Sequence, residues 1–428
     1  MWAGVVVRPS GILDTVRVLP VAVLALAAGC YRPAYDNTCF AACAGACPDN
    51  FACVDGRCQP TRAGLCDGTA PGADAGDEGG GGGDGDTAGV VCHGGAPFEL
   101  CQPAGFTAGG IDVVTFTTVD TGTSCTHIAT LEGSAFEVCV LAAATIKVRA
   151  TLRATGPRPL ALWAGEITVE GTGTIDVSSV FNTSAGAGAN DARCATPVVA
   201  AEVIPNGGPG GPGGSFATSG APGGAPGQPA TSGVGPALPA TLDVPRGGCP
   251  GSDGGDSAVN QGGNGGFSGG AVYLYADTIQ LDGHIDASGA ASNAAGIRGG
   301  GGGGGSGGVI VIAAASLAGS GRVLAAGAGG GGGGGATDNG TLGETPRIAT
   351  MSPPNDVFGG NHNMAGEGGF GGGTSGFIGG GVPHSGGTGT GDMTIGFSGG
   401  GGGAGGAGFV KVYESVALPL GIQAFPPP

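Results

Sequence analysis

The chain has 428 residues, of which 102 are glycine and 5% aromatic, and its formal net charge is −17. Such a charge excludes nucleic acid and anionic lipid headgroups as electrostatic partners, because an acidic surface repels phosphate. It also keeps a glycine-rich chain in solution.

At the N-terminus, Arg8 and Arg17 supply positive charge and residues 18–28 form an apolar stretch. This is the layout of a secretory leader, and the stretch falls short of the roughly 20 apolar residues that cross a bilayer. It closes on Leu26-Ala27-Ala28-Gly29-Cys30, which resembles the lipobox of bacterial lipoproteins. That resemblance implies removal of residues 1–29, lipidation of Cys30, and a membrane contact made through the lipid alone. Tyr31 follows Cys30, which by analogy with enteric sorting rules implies the outer membrane, with the protein at the cell surface.

The chain has 13 cysteines, and an even number remains once Cys30 is set aside, as expected for disulfides in an oxidising compartment. Six crowd into residues 30–67: Cys39, Cys43, Cys47, Cys53, Cys58 and Cys66. The stretch from Cys47 to Cys58 is loosely similar to the Cys-rich turns of EGF-type repeats, and Asp55-Gly56 inside it is a hairpin signal. No histidine lies in the segment and six thiols exceed the four ligands of a zinc site, which argues for bridges over metal. The connectivity of these six stays open. The remaining cysteines are paired by order alone: Cys92 with Cys101, Cys125 with Cys139, Cys194 with Cys249.

Residues 68–90 place Asp74, Asp77, Glu78, Asp84 and Asp86 among glycines, the composition of a flexible acidic tether. Asp84 comes one place too early for a calcium-binding nonapeptide.

From residue 91 to 420 the pattern changes to short apolar runs rich in β-branched residues. Val138-Cys139-Val140-Leu141, Leu160-Ala161-Leu162-Trp163, Val272-Tyr273-Leu274-Tyr275 and Val309-Ile310-Val311-Ile312 open four units, and Phe409-Val410-Lys411-Val412-Tyr413 starts a fifth. The first two units lie about 22 residues apart. Three short strands per unit, with Val, Ile and Leu inward and Thr, Lys, Glu and Gln outward, predict an all-β fold. The expected form is a parallel β-helix-like solenoid with long glycine-rich insertions, preceded by the small disulfide-rich module. A β-sandwich is the alternative. Gly171 and Gly283 match across units and are expected at tight corners with positive φ. Residues 421–428 read as a tail.

Glycine-rich insertions occupy about 182–270, 299–308 and 327–406. Glycine runs lose much entropy on ordering, so they are either disordered or ordered as threefold polyglycine helices packed side by side. Matches to G-x-G-x-x-G are inevitable here and carry no phosphate-binding meaning.

Catalytic signals are sparse. His93, His127, His284, His362 and His384 are scattered, and no nucleophile elbow appears. Asp176 matches Asp286 across units, and Glu170 matches Asp282. Stacked carboxylates repel unless a proton or a cation intervenes, so structural Ca²⁺ or a glycosidase pair is weighed at these four residues. The reading of solvated corner carboxylates stands beside it, no basic residue being evident next to them. Trp163, Tyr273 and Tyr275 are either a stacking face for a polysaccharide or core.

The whole chain resembles glycine-rich exported lipoproteins of Gram-negative bacteria with a short Cys-rich module ahead of a repetitive β domain. The resemblance implies a location and an architecture. The expected role is a non-enzymatic envelope protein, in surface structure, adhesion or matrix contact, without a cofactor. A polysaccharide-binding or carbohydrate-active protein is the alternative.

Overall fold

The computed structural model describes residues 51–54, 57–60, 91–103, 109–131, 136–195, 207–227, 235–239, 241–242, 245–258, 260–346, 359–360, 385–386, 388, 391–392, 396–413, 418–419 and 421–428. The leader 1–29, Cys30, Cys39, Cys43, Cys47, Cys66 and the tether 68–90 lie outside them. The chain divides into two units, Met1–Gly85 and Asp86–Pro428. In the first, β1 (Phe51–Val54) pairs antiparallel with β2 (Arg57–Pro60), which makes Cys53 and Cys58 register partners.

The second unit opens with a hairpin of β3 (Cys92–His93) and β4 (Leu100–Cys101). Its first sheet contains β5 (Gly110–Val113), β8 (Glu137–Val148), β10 (Leu160–Val169), β12 (Ala271–Leu281), β14 (Val309–Gly319) and β18 (Phe409–Tyr413), all parallel. β7 (His127–Thr130) adds to β8 antiparallel. The second sheet contains β6 (Thr117–Asp120), β9 (Thr151–Thr155), β11 (Thr174–Asp176), β13 (His284–Asp286), β15 (Arg322–Leu324) and β19 (Gln423–Phe425), again parallel. A small antiparallel pair, β16 (Gly391–Asp392) and β17 (Gly396–Phe397), stands apart. Among the described residues there is no helix.

Alternation explains the strands. In β12, Val272, Leu274 and Ala276 point into the core between the two sheets, while Ala271, Tyr273 and Tyr275 point into a second cluster on the opposite face. Both faces are covered there, so the run is apolar throughout. In the second halves of the long strands only one face is buried. Ile146, Val148, Ile167, Val169, Ile279 and Leu281 fill it, and Lys147, Thr168 and Gln280 are half-exposed opposite. Each fully buried Ile or Leu contributes about 1.5–3 kcal/mol.

The fold class expected from the sequence is overturned. Each repeat supplies one long and one short strand, not three, and among the described residues these build two separate parallel sheets, with β5 and β18 outermost in one and β6 and β19 in the other. They do not close as a β-helix. The sandwich alternative fails as well, since its ladders would be antiparallel. The sequence misleads because Val138–Leu141 and Thr145–Val148 look like separate strands but are one continuous strand, β8. The frame also slips: Leu160 pairs with Cys139 and Val272 with Ile310, one residue after the starts read at Val138 and Val309. Residues 421–428, set apart as a tail, carry β19 on β15.

The corner glycines differ too. Neither Gly171 nor Gly283 has positive φ; among the described glycines that conformation belongs to Gly94, Gly156, Gly188 and Gly319. The turn between β10 and β11 is two residues longer than that between β12 and β13, so Gly173, not Gly171, falls beside Gly283.

The glycine-rich segments described are ordered. Residues 298–308 form the centre of a slab and are hydrogen-bonded on all sides. Gly300 and Gly303 donate to the carbonyls of Gly255 and Ser252, Gly301 and Gly304 to Gly400 and Gly403, and Gly302 and Gly305 to Asn293 and Ala290, all at 2.9–3.2 Å. Successive amides therefore point in three directions and return every third residue, the geometry of a threefold polyglycine helix. Three further segments, 207–214, 263–269 and 328–334, donate to the carbonyls of this central one, which gives it six neighbours. Such packing demands glycine: a Cβ on Gly302 would lie inside contact distance of the Asn264 carbonyl. In the outlying segment, Gly208, Gly211 and Gly214 donate to the central one and Gly210 and Gly213 to residues 221–224; the third direction falls to Pro209 and Pro212, which have no amide hydrogen to place. The slab runs directly into the first sheet, residues 298–308 leading into β14 and 398–408 into β18.

Candidate functional site

Two places carry the residues singled out in the sequence: the carboxylate corners and the outer face of the first sheet. At the corners, Asp176 and Asp286 are register partners on β11 and β13. Arg153 stands in the same row one strand earlier, and its guanidinium Nη1 donates to Asp176 Oδ2. Asp176 Oδ1 accepts from the Ser178 amide at 2.9 Å and its hydroxyl at 2.7 Å. Asp286 is buried and accepts the Ser288 amide at 2.9 Å. Glu170 pairs with Arg149 at 3.1 Å. Asp282 accepts from Gln280 at 2.7 Å and from the Ser320 amide and hydroxyl at 3.1 Å; the Gln280 contact first, then those of Ser320, holds its carboxyl below the usual range.

The expectation that no base stands beside these carboxylates is therefore corrected. Parallel register brings Arg153 and Arg149 to them from the neighbouring repeat, a proximity that linear spacing does not display. Glu170, Asp176, Asp282 and Asp286 do not gather their oxygens into one ligand set: among the described residues such a group is formed by Cys92, Glu99 and Cys101. There the two sulfurs are bonded to each other, so no thiolate is offered to a metal.

On the outer face of the first sheet, Trp163 and Tyr275 are register partners, and Ala313 links Tyr275 to Tyr413 in the same row. The β3–β4 hairpin lies over them. Tyr275 donates its hydroxyl to the Phe98 carbonyl at 2.8 Å, Phe98 packs 5.6 Å from Tyr273, and His93 lies 6.1 Å from Trp163. Trp163, Tyr273 and Tyr275 are all buried, so they are core under a cover and not an open stacking face. Burial pushes the phenols of Tyr273 and Tyr275 well above their ordinary ionisation range.

The three bridges paired by order are present: Cys92–Cys101, Cys125–Cys139 and Cys194–Cys249. Cys53 and Cys58 are placed by backbone only. Sequence reasoning set His93 aside as scattered, and that residue is buried with Nε2 3.5 Å from Asp277; it passed over Arg246, buried beside the third bridge. It also passed over an open cavity of about 280 Å³ lined by Gly122, Thr123, Cys125, Thr126, His127 and Ile128. A lone Arg246 among Pro245, Gly247 and Gly248 was the available signal, being the single Lys or Arg between residues 194 and 297.

Comparison of the chain with protein-family models, curated proteins and solved structures returns no match.

Proposed function

We propose that this chain is a non-enzymatic lipoprotein of the bacterial outer envelope, displayed at the cell surface in structure, adhesion or matrix contact. Cys30 is its lipid anchor, residues 30–67 and the tether 68–90 its stem, and the chain from residue 91 onward the body that meets a polysaccharide or the envelope matrix. The observation that supports a mechanical role is the slab around residues 298–308, whose amides donate to three neighbouring segments and whose carbonyls accept from three more. Crosslinked by hydrogen bonds in every lateral direction, such a body resists shear better than a single sheet, which is bonded in one. The sequence from Leu26 to Cys30 supports the anchoring.

The test is fatty-acid labelling of cells expressing wild type or Cys30→Ser, followed by protease treatment of intact cells. Labelled wild type that is cleaved on whole cells, with an unlabelled Cys30→Ser protein, is expected. Labelling unchanged by Cys30→Ser removes the anchor, and full protection until the outer membrane is breached removes surface display. Binding of the purified body to isolated envelope polysaccharide then tests adhesion.

A further inference from the structure

Arg246 is 6% exposed and belongs to the cover of the first sheet. Its guanidinium lies 4.9 Å from the centre of the Phe216 ring. Nη1 is 3.4 Å from Cys194 Sγ and 3.6 Å from Cys249 Sγ, and those two sulfurs are bonded to each other. A bridged sulfur is a weak acceptor, so a cation held there gains little from it. The gain comes when the bond breaks and one sulfur leaves as a thiolate, which a neighbouring cation stabilises.

The other charges nearby leave that effect in place. Asp191 and Arg193 sit on the segment carrying Cys194, and Arg193 binds Asp191 through Nε and Nη2, each at 2.7 Å. Asp191 also feels the charge of Arg246, whose Nη1 stays within 3.6 Å of both sulfurs. The two residues are not equivalent: Cys249 is 4% exposed, whereas Cys194 is only part-buried and is the more exposed of the two.

We propose that Cys194–Cys249 is an exchangeable disulfide and a site of modification by a low-molecular-weight thiol or a dithiol oxidoreductase. An incoming thiolate bonds to Cys194 Sγ, the Cys194–Cys249 bond breaks, and its electron pair leaves on Cys249 Sγ against Arg246. The product is a mixed disulfide at Cys194 with a Cys249 thiolate, and no net oxidation or reduction occurs. A second thiolate attacking the incoming sulfur releases an external disulfide and leaves both cysteines reduced. The bond closes a loop of sequence separation 55 that contains residues 207–227, one flank of the glycine slab. Exchange unties that flank. This inference stands independently of the envelope reading.

The test uses the oxidised full chain treated with reduced glutathione, quenched with acid and mapped by mass spectrometry. Glutathione is expected on Cys194, with exchange about tenfold slower in Arg246→Met and largely restored in Arg246→Lys, since a poorer leaving thiolate departs more slowly. Equal rates in wild type and Arg246→Met, or a first adduct on Cys249, overturn it. Should Arg246→Met not fold, the pH dependence of Cys249 alkylation in Cys194→Ser decides. A thiol titrating below the ordinary value of about 8.5 supports the proposal, and one at or above it overturns it.

Discussion

Asp253 accepts the backbone amide of Gly265 from the adjacent segment of the glycine slab at 2.7 Å. Three residues further along its own segment, Asp256 does the same for Gly262 at 2.9 Å, and Asn190 takes the amide of Ser268 at 2.9 Å. The spacing of three on both segments is the period of the helices. These side chains close the row of amides that faces away from the central segment, while Gly263 and Gly266 donate inward to Gly300 and Gly303. Perimeter donors are thus met by side-chain oxygens, two from aspartates and one from an asparagine.

Removing both acids tests this division. In Asp253→Ala/Asp256→Ala, hydrogen exchange at Gly262 and Gly265 should accelerate at least several-fold, while Gly263 and Gly266 keep their protection. Uniform acceleration of all four amides would instead show that the acids hold the segment as a whole.

The central segment should tolerate no side chain. Gly302→Ala drives a Cβ against the Asn264 carbonyl, a rigid backbone atom, and is expected to cost about 3 kcal/mol or more. Gly171→Ala meets nothing within 4 Å and carries no positive φ, so it should be neutral or stabilise by up to about 1 kcal/mol. Melting temperatures of the two variants should move in these directions, and equal losses would count against the close-packed slab.

Arg153 and Asp176 are each about 15% exposed, at 15% and 16%. Arg153→Met leaves Asp176 beside Asp286 without its cation and should destabilise by about 2–3 kcal/mol. Arg149→Met, at a pair that is roughly half-exposed, should cost at most about 1 kcal/mol. Denaturant midpoints of the two variants give the comparison; equal effects would remove the special standing of the Arg153 pair.

Burial holds Tyr273 and Tyr275 neutral above the range in which an unfolded chain ionises them. Their folded ionisation is raised, so the stability they confer is complete below about pH 10 and is lost as pH rises past that value. Alkaline titration followed by tyrosinate absorbance should show these two phenols ionising only with unfolding. Tyr275→Phe strands the Phe98 carbonyl and should cost about 1–2 kcal/mol. A transition near pH 10 whose amplitude accounts for all five tyrosines of the folded chain would contradict the cover over this face.

Much of the strand content was legible because side chains announce it. The apolar runs at 160, 272 and 409 lie where β10, β12 and β18 lie, and the order of the cysteines anticipated three bridges. What failed depended on information that side-chain pattern does not hold. A one-residue slip at Val138 and Val309 preserves the look of an apolar run while exchanging its faces. Two-sheet assembly was hidden because a strand buried on both sides, such as β8, has no alternation to separate it from two short ones. The glycine segments gave least of all: their few side chains, such as Pro209, Pro212, Asp253 and Asp256, repeat every three residues, but most of their order rests on backbone amides. The arginines at the corners were missed since Arg153 reaches Asp176 only through register between neighbouring strands.

The threefold return of the slab amides constrains how this protein can change length. Losing or gaining one residue within 298–308 turns every later amide by a third of a rotation, towards the wrong neighbour, and misdirects a whole file of hydrogen bonds at once. Gaining three residues restores the heading. Insertions and deletions in these segments should therefore survive in multiples of three, a reading frame imposed by geometry upon the folded chain.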